Sequence, residues 1–284
     1  MSLDSSASPG ASGVTHGAAA WCNLGRKSSG VRVQAASCVW LVAVIWASSA
    51  PLARGAGPAG QEVSQPAPEA QGLEWARRLR TVAPEQASTN RAILRIRGRE
   101  GRRQVPVTVI TRPGGDRWEV EYRVGGDEGK EPREVRTIFY STGGPPRFDA
   151  KPAEASTSLA DGAKKAGDLA IGGSDFLLKE LGMEFLHWPE QRLRGRELSN
   201  GRWCQVLESR SGKAEGPASV RSWIDEKLGV VLSAEVYDAR NLRLKQFSIT
   251  QFREQGDRWT CSVSMVDDQR GTKTELSFDG PVPR

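Results

Sequence analysis

Histidine, cysteine and long apolar runs are scarce in this 284-residue chain. Its two histidines are His16 and His187, and its four cysteines are Cys22, Cys38, Cys204 and Cys261. With His187 the one histidine outside the N-terminal region, neither a Ser-His-Asp arrangement nor a His-rich metal site assembles easily. Cys204 and Cys261 lie far apart with no partner at metal-ligand spacing, which removes zinc; in an oxidising compartment they are open either to a disulfide or to burial as strand thiols. Gly172-Gly173-Ser174-Asp175 precedes a helical pattern but lacks the strand and lysine of a phosphate loop, so a loop with a helix cap explains it. The acid pairs Asp225-Glu226 and Asp267-Asp268 sit at strand ends, where adjacent side chains point to opposite faces and form no catalytic dyad. These absences point away from an enzyme, and from any cofactor or metal.

Apolar runs are short as well. Val39 to Trp46 follows Arg26, Lys27 and Arg32 and precedes Ala47, Ser48, Ser49 and Ala50, the order of a secretory signal peptide. The run is shorter than the roughly 20 residues of a membrane-spanning helix, and no second candidate follows. Pro51 disfavours cleavage after Ala50, Ala53-Arg54-Gly55 offers a competing site, and the mature chain is expected to start near Ala56. About thirty residues precede the basic region, so the true start is expected downstream of Met1, near Val31. No cysteine comes just after the apolar run, Cys22 and Cys38 lying before it, which argues against lipid anchoring. Residues 1–55 are thus an export segment with an over-extended N-terminus, and a periplasmic location is expected. Residues 56–70, rich in Pro, Gly, Ala and Gln, form a linker, and 71–284 a single folded domain.

The formal charge of +6 falls by half when residues 1–55 leave, since they hold Arg26, Lys27, Arg32 and Arg54 against Asp4 alone. So mild a basicity is no nucleic-acid footprint; the local exception is the cluster Arg95, Arg97, Arg99, Arg102 and Arg103.

The rest of the chain is patterned. Leu73, Trp75, Ala76 and Leu79 recur at helical spacing over residues 69–82, and Pro84 ends them. The period then becomes two. Leu94 and Ile96, then Val107 and Val109 beyond a turn at 98–103, then Trp118, Val120 and Tyr122, then Phe139 alternate with polar residues and predict a continuous apolar inner face. Prolines 145, 146 and 152 argue against a strand over 143–155. Residues 157–166 and 174–183 look helical, with Ser174 as N-cap. Strands return from about residue 192 to 278. About eleven antiparallel strands in a meander, with a few helices, predict a mainly β protein: a strongly curved sheet or incomplete barrel, covered by an N-terminal helix and a short helical lid. Phe176, Leu177, Leu181 and Leu159 should lie across the open edge in that lid, residues 155–183, as a mobile cover or as static core. A concave sheet of this kind can hold an apolar ligand.

Gly173-Ser174-Asp175-Phe176, Cys204-Gln205-Val206-Leu207-Glu208 and Trp223-Ile224-Asp225 resemble segments of the outer-membrane lipoprotein-sorting proteins of the LolA-like superfamily. Glu235-Val236-Tyr237-Asp238 with Leu244-Lys245 is similar to a strand pair of that family, and Met265-Val266-Asp267-Asp268 with Thr272, Thr274 and Leu276 to its last hairpin. The resemblance implies an incomplete antiparallel barrel with helices across its mouth, enclosing an apolar cavity for lipoprotein acyl chains or another lipid. It implies a monomeric periplasmic carrier that meets a membrane-bound donor or acceptor protein, although no residue here identifies one. The alternative is a sensory or structural extracytoplasmic module, its interior filled by its own side chains, that binds a protein partner or another hydrophobic ligand without catalysis.

Overall fold

The computed structural model describes residues 66–281 apart from 127–130, 153–164 and 256–257. The expected export segment, most of the linker, Leu159 and most of the expected 157–166 helix lie outside the described residues.

Helix α1 (Pro68–Arg80) starts on a proline, whose missing N–H costs nothing in a first turn. Its buried face is Gly72, Ala76 and Leu79, with Trp75 beside them; Leu73 points outward, half exposed. Five strands follow: β1 (Ser88–Gly98), β2 (Gly101–Arg112), β3 (Arg117–Val124), β4 (Glu134–Ser141) and β5 (Gly144–Pro152). A connecting segment carries the short helix α2 (Leu178–Leu181). Seven more strands complete the chain: β6 (Glu190–Ser199), β7 (Arg202–Arg210), β8 (Ser219–Asp225), β9 (Val231–Tyr237), β10 (Arg243–Gln255), β11 (Arg258–Asp267) and β12 (Thr272–Pro281).

All twelve strands join one sheet in the order β5-β4-β3-β2-β1-β12-β11-β10-β9-β8-β7-β6. All consecutive strands except β5 and β6 pair antiparallel, and β1 with β12 zips the two meanders together. The two free edges, β5 and β6, are therefore consecutive in sequence, and the connecting segment runs from one edge to the other.

The described residues form twelve strands where about eleven were expected, because residues 144–152 do form a strand. Prolines are tolerated there since β5 is an edge, and Pro145 and Pro146 fall at a register irregularity between the Phe139–Arg147 and Ser141–Gly144 pairs. The expected helix over 174–183 shrinks to α2. Ser174 does not cap it: its Oγ accepts the Phe176 N–H inside a turn, while the Glu180 carboxylate accepts the Leu177 N–H at the helix start.

Period-two alternation buries one face of the sheet and leaves the other polar. The largest core cluster joins Ala92, Leu94, Val107, Val109, Val120 and Tyr122 to Cys261, Val263, Leu276 and Phe278. A second gathers Ala76 and Leu79 of α1 with Leu186, Leu207, Val220 and Ala234. Cys204 belongs to a third, with Val230 and Leu232, and both it and Cys261 are free buried thiols. The outer face is tied by serines, Ser262 to Ser277 and Ser248 to Ser264, each pair at 3.0 Å. Among the described residues no helix is long and apolar enough to cross a membrane.

Candidate functional site: a cavity beside the connecting segment

The connecting segment is built to lie flat on the sheet. Ala170 and Leu177 pair as an antiparallel bridge around a turn in which Gly172 and Gly173 take φ of 57° and 63°. A Cβ on Gly172 would stand 2.9 Å from Val124 Cγ1 and 3.2 Å from Leu94 Cδ1, so glycine is required by space as well as by conformation.

Polar bonds then fasten this turn to four strands. Arg103 Nη2 donates to the carbonyls of Gly172 (2.9 Å) and Gly173 (2.7 Å), and the Gly172 N–H donates to Glu134. Asp175, 3 % exposed, accepts from Thr272 Oγ1 at 2.6 Å and from Thr274 Oγ1 at 2.8 Å. Lys245 Nζ donates to the Asp175 carbonyl (2.8 Å) and to Glu180 (3.0 Å). Burial pushes the Glu180 carboxyl up, opposed mainly by the Lys245 charge. The Gly-Ser-Asp-Phe motif is thus a fastening: the glycines allow contact, Asp175 anchors β12, and Phe176 fills the core.

This arrangement decides where the expected apolar residues go. Ile171, Phe176, Leu178 and Leu181 pack into the same cluster as Leu94, Val107, Val109, Val120 and Tyr122, so the N-terminal half of the inner face is filled. Ile96 is half-buried at its margin. Trp118 is buried, stacked on Tyr140 with ring centroids 5.4 Å apart, beside a void of about 20 Å³. Phe139 lies on the opposite face: it pairs with Glu119, whereas Ile138 pairs with Val120 and is fully buried. The strand β4 therefore runs one residue out of the expected alternation.

The open space is elsewhere. A cavity of about 440 Å³ lies between the connecting segment and the C-terminal strands, within the roughly 300–1,000 Å³ of small-molecule sites. Phe176 and Leu181 of the expected set line it; Leu177, half-buried, does not. Its remaining apolar wall is Phe148 from β5, Met183, Phe185 and Trp188 from the end of the segment, Val220, Val231, Ala234 and Val236 from β8 and β9, and Phe247 and Met265 from β10 and β11. Lys165, Asp168, Lys213 and Glu215, all at least partly exposed, place charge at its rim, and Lys179, Glu180 and Glu184 bring charge to its lining.

The Trp188 wall was legible only as an ordinary loop, since nothing in His187-Trp188-Pro189 shows that a 3-10 turn over Glu184–His187 would aim it inward. His187 itself is half-buried at the end of that turn, and burial with the nearby Arg80 charge pushes its pKa down to about 4. Asp225 is consumed structurally: it receives Arg202 and the N–H groups of Lys227 and Leu228, each of those two at 2.8 Å. No group of three or more His, Cys, Asp or Glu that could hold a metal ion occurs among the described residues.

An open antiparallel sheet curved around its own connecting segment is a LolA-like fold. The chain shares this fold with an outer membrane lipoprotein-sorting protein domain from Vibrio parahaemolyticus, at 18 % identity and a TM-score of 0.55, over 74 % of this chain and 91 % of that one. It is also similar to a DUF1329 family protein from Desulfovibrio piger, at 13 % identity and a TM-score of 0.56, over 75 % and 92 % of the two chains. A LolA superfamily protein from Nitrosomonas europaea aligns at 15 % identity and a TM-score of 0.45, over 77 % and 94 %. A family model described as "-like: Uncharacterized protein" matches residues 159–282. No curated protein matches the chain.

Proposed function

We propose that the protein is an extracytoplasmic carrier that holds the acyl chain of a lipoprotein or a comparable lipid in the 440 Å³ cavity, without catalysis. The observation that carries this reading is a cavity walled by phenylalanine, methionine, tryptophan and valine that ends in a charged rim, the polarity an amphiphile requires. Exposing an acyl chain to water costs about 0.8 kcal/mol per methylene, so about ten kcal/mol for twelve of them, and a carrier across water must bury that surface. The lipoprotein-sorting domain with which the chain shares its fold adds support for the substrate class.

The test fills the cavity. Val236, partly buried on β9, lines it, and Val236→Trp places an indole inside. Uptake of a fluorescent fatty acid should fall at least tenfold while thermal stability is kept, and lipid extracted from purified wild-type protein should be identifiable by mass spectrometry. Equal uptake by the variant would remove the cavity from the function. Absence of uptake and of extractable lipid in the wild type would return the reading to a module that binds a protein.

A further inference from the structure

The arginine cluster in the β1–β2 hairpin is not absorbed by the cavity. Register places Arg97 directly opposite Arg102 on one side and Lys273 on the other, so three cations stand abreast across β2, β1 and β12. All three are exposed, and Arg99 in the hairpin turn is exposed beside them. Adjacent strands lie about 4.8 Å apart, which makes this a row of about 10 Å. Like charges directly opposite one another destabilise a sheet.

Among the described residues Arg97, Arg99, Arg102 and Lys273 have no ion pair, although the sheet is elsewhere rich in them. Glu275, two positions along β12, is held by Arg95 at 3.5 Å and by Ser277 at 2.8 Å. Asp268 is taken by Arg243 and Asp267 by Arg270. Glu100 in the turn is the one exposed carboxylate of the hairpin end. Arg103, on the inner side of the same hairpin end opposite Ile96, is spent on the carbonyls of Gly172 and Gly173.

We infer that this row is a docking surface for an anionic lipid bilayer. A row of exposed cations on the outside of a sheet suits many phosphate headgroups spread over a plane better than one shaped anion. Resting on the cargo reading, it also gives the carrier a means of lying against the membrane from which a lipid is collected or to which it is delivered. Each basic residue near an anionic leaflet contributes about a factor of five to binding, so three contribute roughly a hundredfold.

The experiment is co-sedimentation of the whole protein with phosphatidylcholine vesicles, with and without about 30 % phosphatidylglycerol, at low and high salt. Binding is expected on the anionic vesicles alone, weakening with salt. The triple variant Arg97→Gln, Arg102→Gln, Lys273→Gln should bind them at least tenfold less, with a melting temperature equal to or above that of wild type, because its loss relieves repulsion. A lowered melting temperature would mark the row as structural and overturn the proposal. So would equal binding to neutral vesicles, undiminished binding by the variant, or wild-type protein that ignores anionic vesicles yet binds poly-glutamate, which would assign the row to an acidic protein segment. Fatty-acid uptake without vesicles should be unchanged in the variant, so failure of the cargo reading and failure of the docking surface are separable.

Discussion

Gly72 offers a test in which two physical effects have opposite signs. It lies inside α1, where Gly→Ala ordinarily stabilises a helix by about 1 kcal/mol. Here a Cβ would stand 2.6 Å from the Arg192 nitrogen, 2.6 Å from the Gln191 carbonyl oxygen and 2.7 Å from the Arg192 Cα. All three atoms are backbone of β6, so no side chain can turn aside; the helix must lift from the edge strand. Overpacking of that kind costs roughly 1–3 kcal/mol, and with Ala76 and Leu79 on the same face losing part of their contact the upper half of that range applies. The expected outcome for Gly72→Ala is therefore a net loss of roughly 1–2 kcal/mol.

Urea unfolding reads this directly: with a slope of about 2–3 kcal/mol per molar for a domain of this size, the midpoint should fall by about 0.5 M. Leu73→Ala, at a side chain 50 % exposed, is the control and should move stability by no more than about 0.5 kcal/mol. Amide exchange over residues 68–80 should accelerate in the glycine variant alone. A Gly72→Ala protein as stable as wild type, or more stable, would show that α1 is not seated on β6 as described.

Three further outcomes follow from named groups. His187 is neutral in the fold down to about pH 4 but takes a proton near 6.5 when unfolded, so its contribution is complete above pH 6.5 and is lost as pH falls toward 4; it is on the order of 1–2 kcal/mol, and the difference between the urea midpoints of wild type and His187→Gln should track that window. Asp175→Asn keeps the shape but sets an amide N–H₂ against a threonine hydroxyl, and should cost about 1–3 kcal/mol in thermal or urea unfolding. Lys245→Met leaves the buried Glu180 carboxylate uncompensated and should cost about 2–4 kcal/mol, whereas adding Glu180→Gln, which keeps an acceptor for the Leu177 N–H, should restore most of it in a double-mutant cycle.

The alternation of Leu94, Val107, Val120 and Tyr122 with polar residues was sufficient to place them on the buried face, because the strand period depends on nothing outside the strand. Phe139 failed because a hydrophobic side chain next to another, Ile138, leaves the phase of the alternation undecided until the partner strand fixes it. The edge strand β5 was hidden by its prolines, whose tolerance depends on having no neighbour on one side, a tertiary fact. The cavity was misplaced for a related reason. Clean alternation marks burial, and burial beneath the connecting segment means a filled core; open space arises where Trp188, Phe185 and Met183 meet β8 to β11, across sequence distances that no local pattern encodes.

The same geometry bears on how a ligand enters. Lifting the whole connecting segment would expose Ile171, Phe176, Leu178 and Leu181, each no more than 1 % exposed, at roughly 1.5–3 kcal/mol apiece. The sum, roughly 6–12 kcal/mol before Asp175 and Lys245 are counted, rivals the 5–15 kcal/mol that stabilises a typical domain. A motion that costly is unfolding and not gating, so on the carrier reading proposed above a ligand would enter the existing cavity past its charged rim while the segment stays seated. Asp175→Asn, which weakens the bonds to Thr272 and Thr274 without touching the cavity wall, loosens the seat of the segment. The rate of fatty-acid uptake should be the same in this variant as in wild type; a rate that rises several-fold with the weakened fastening would show that the segment opens after all, and that the burial energies assigned to its four core side chains are too large.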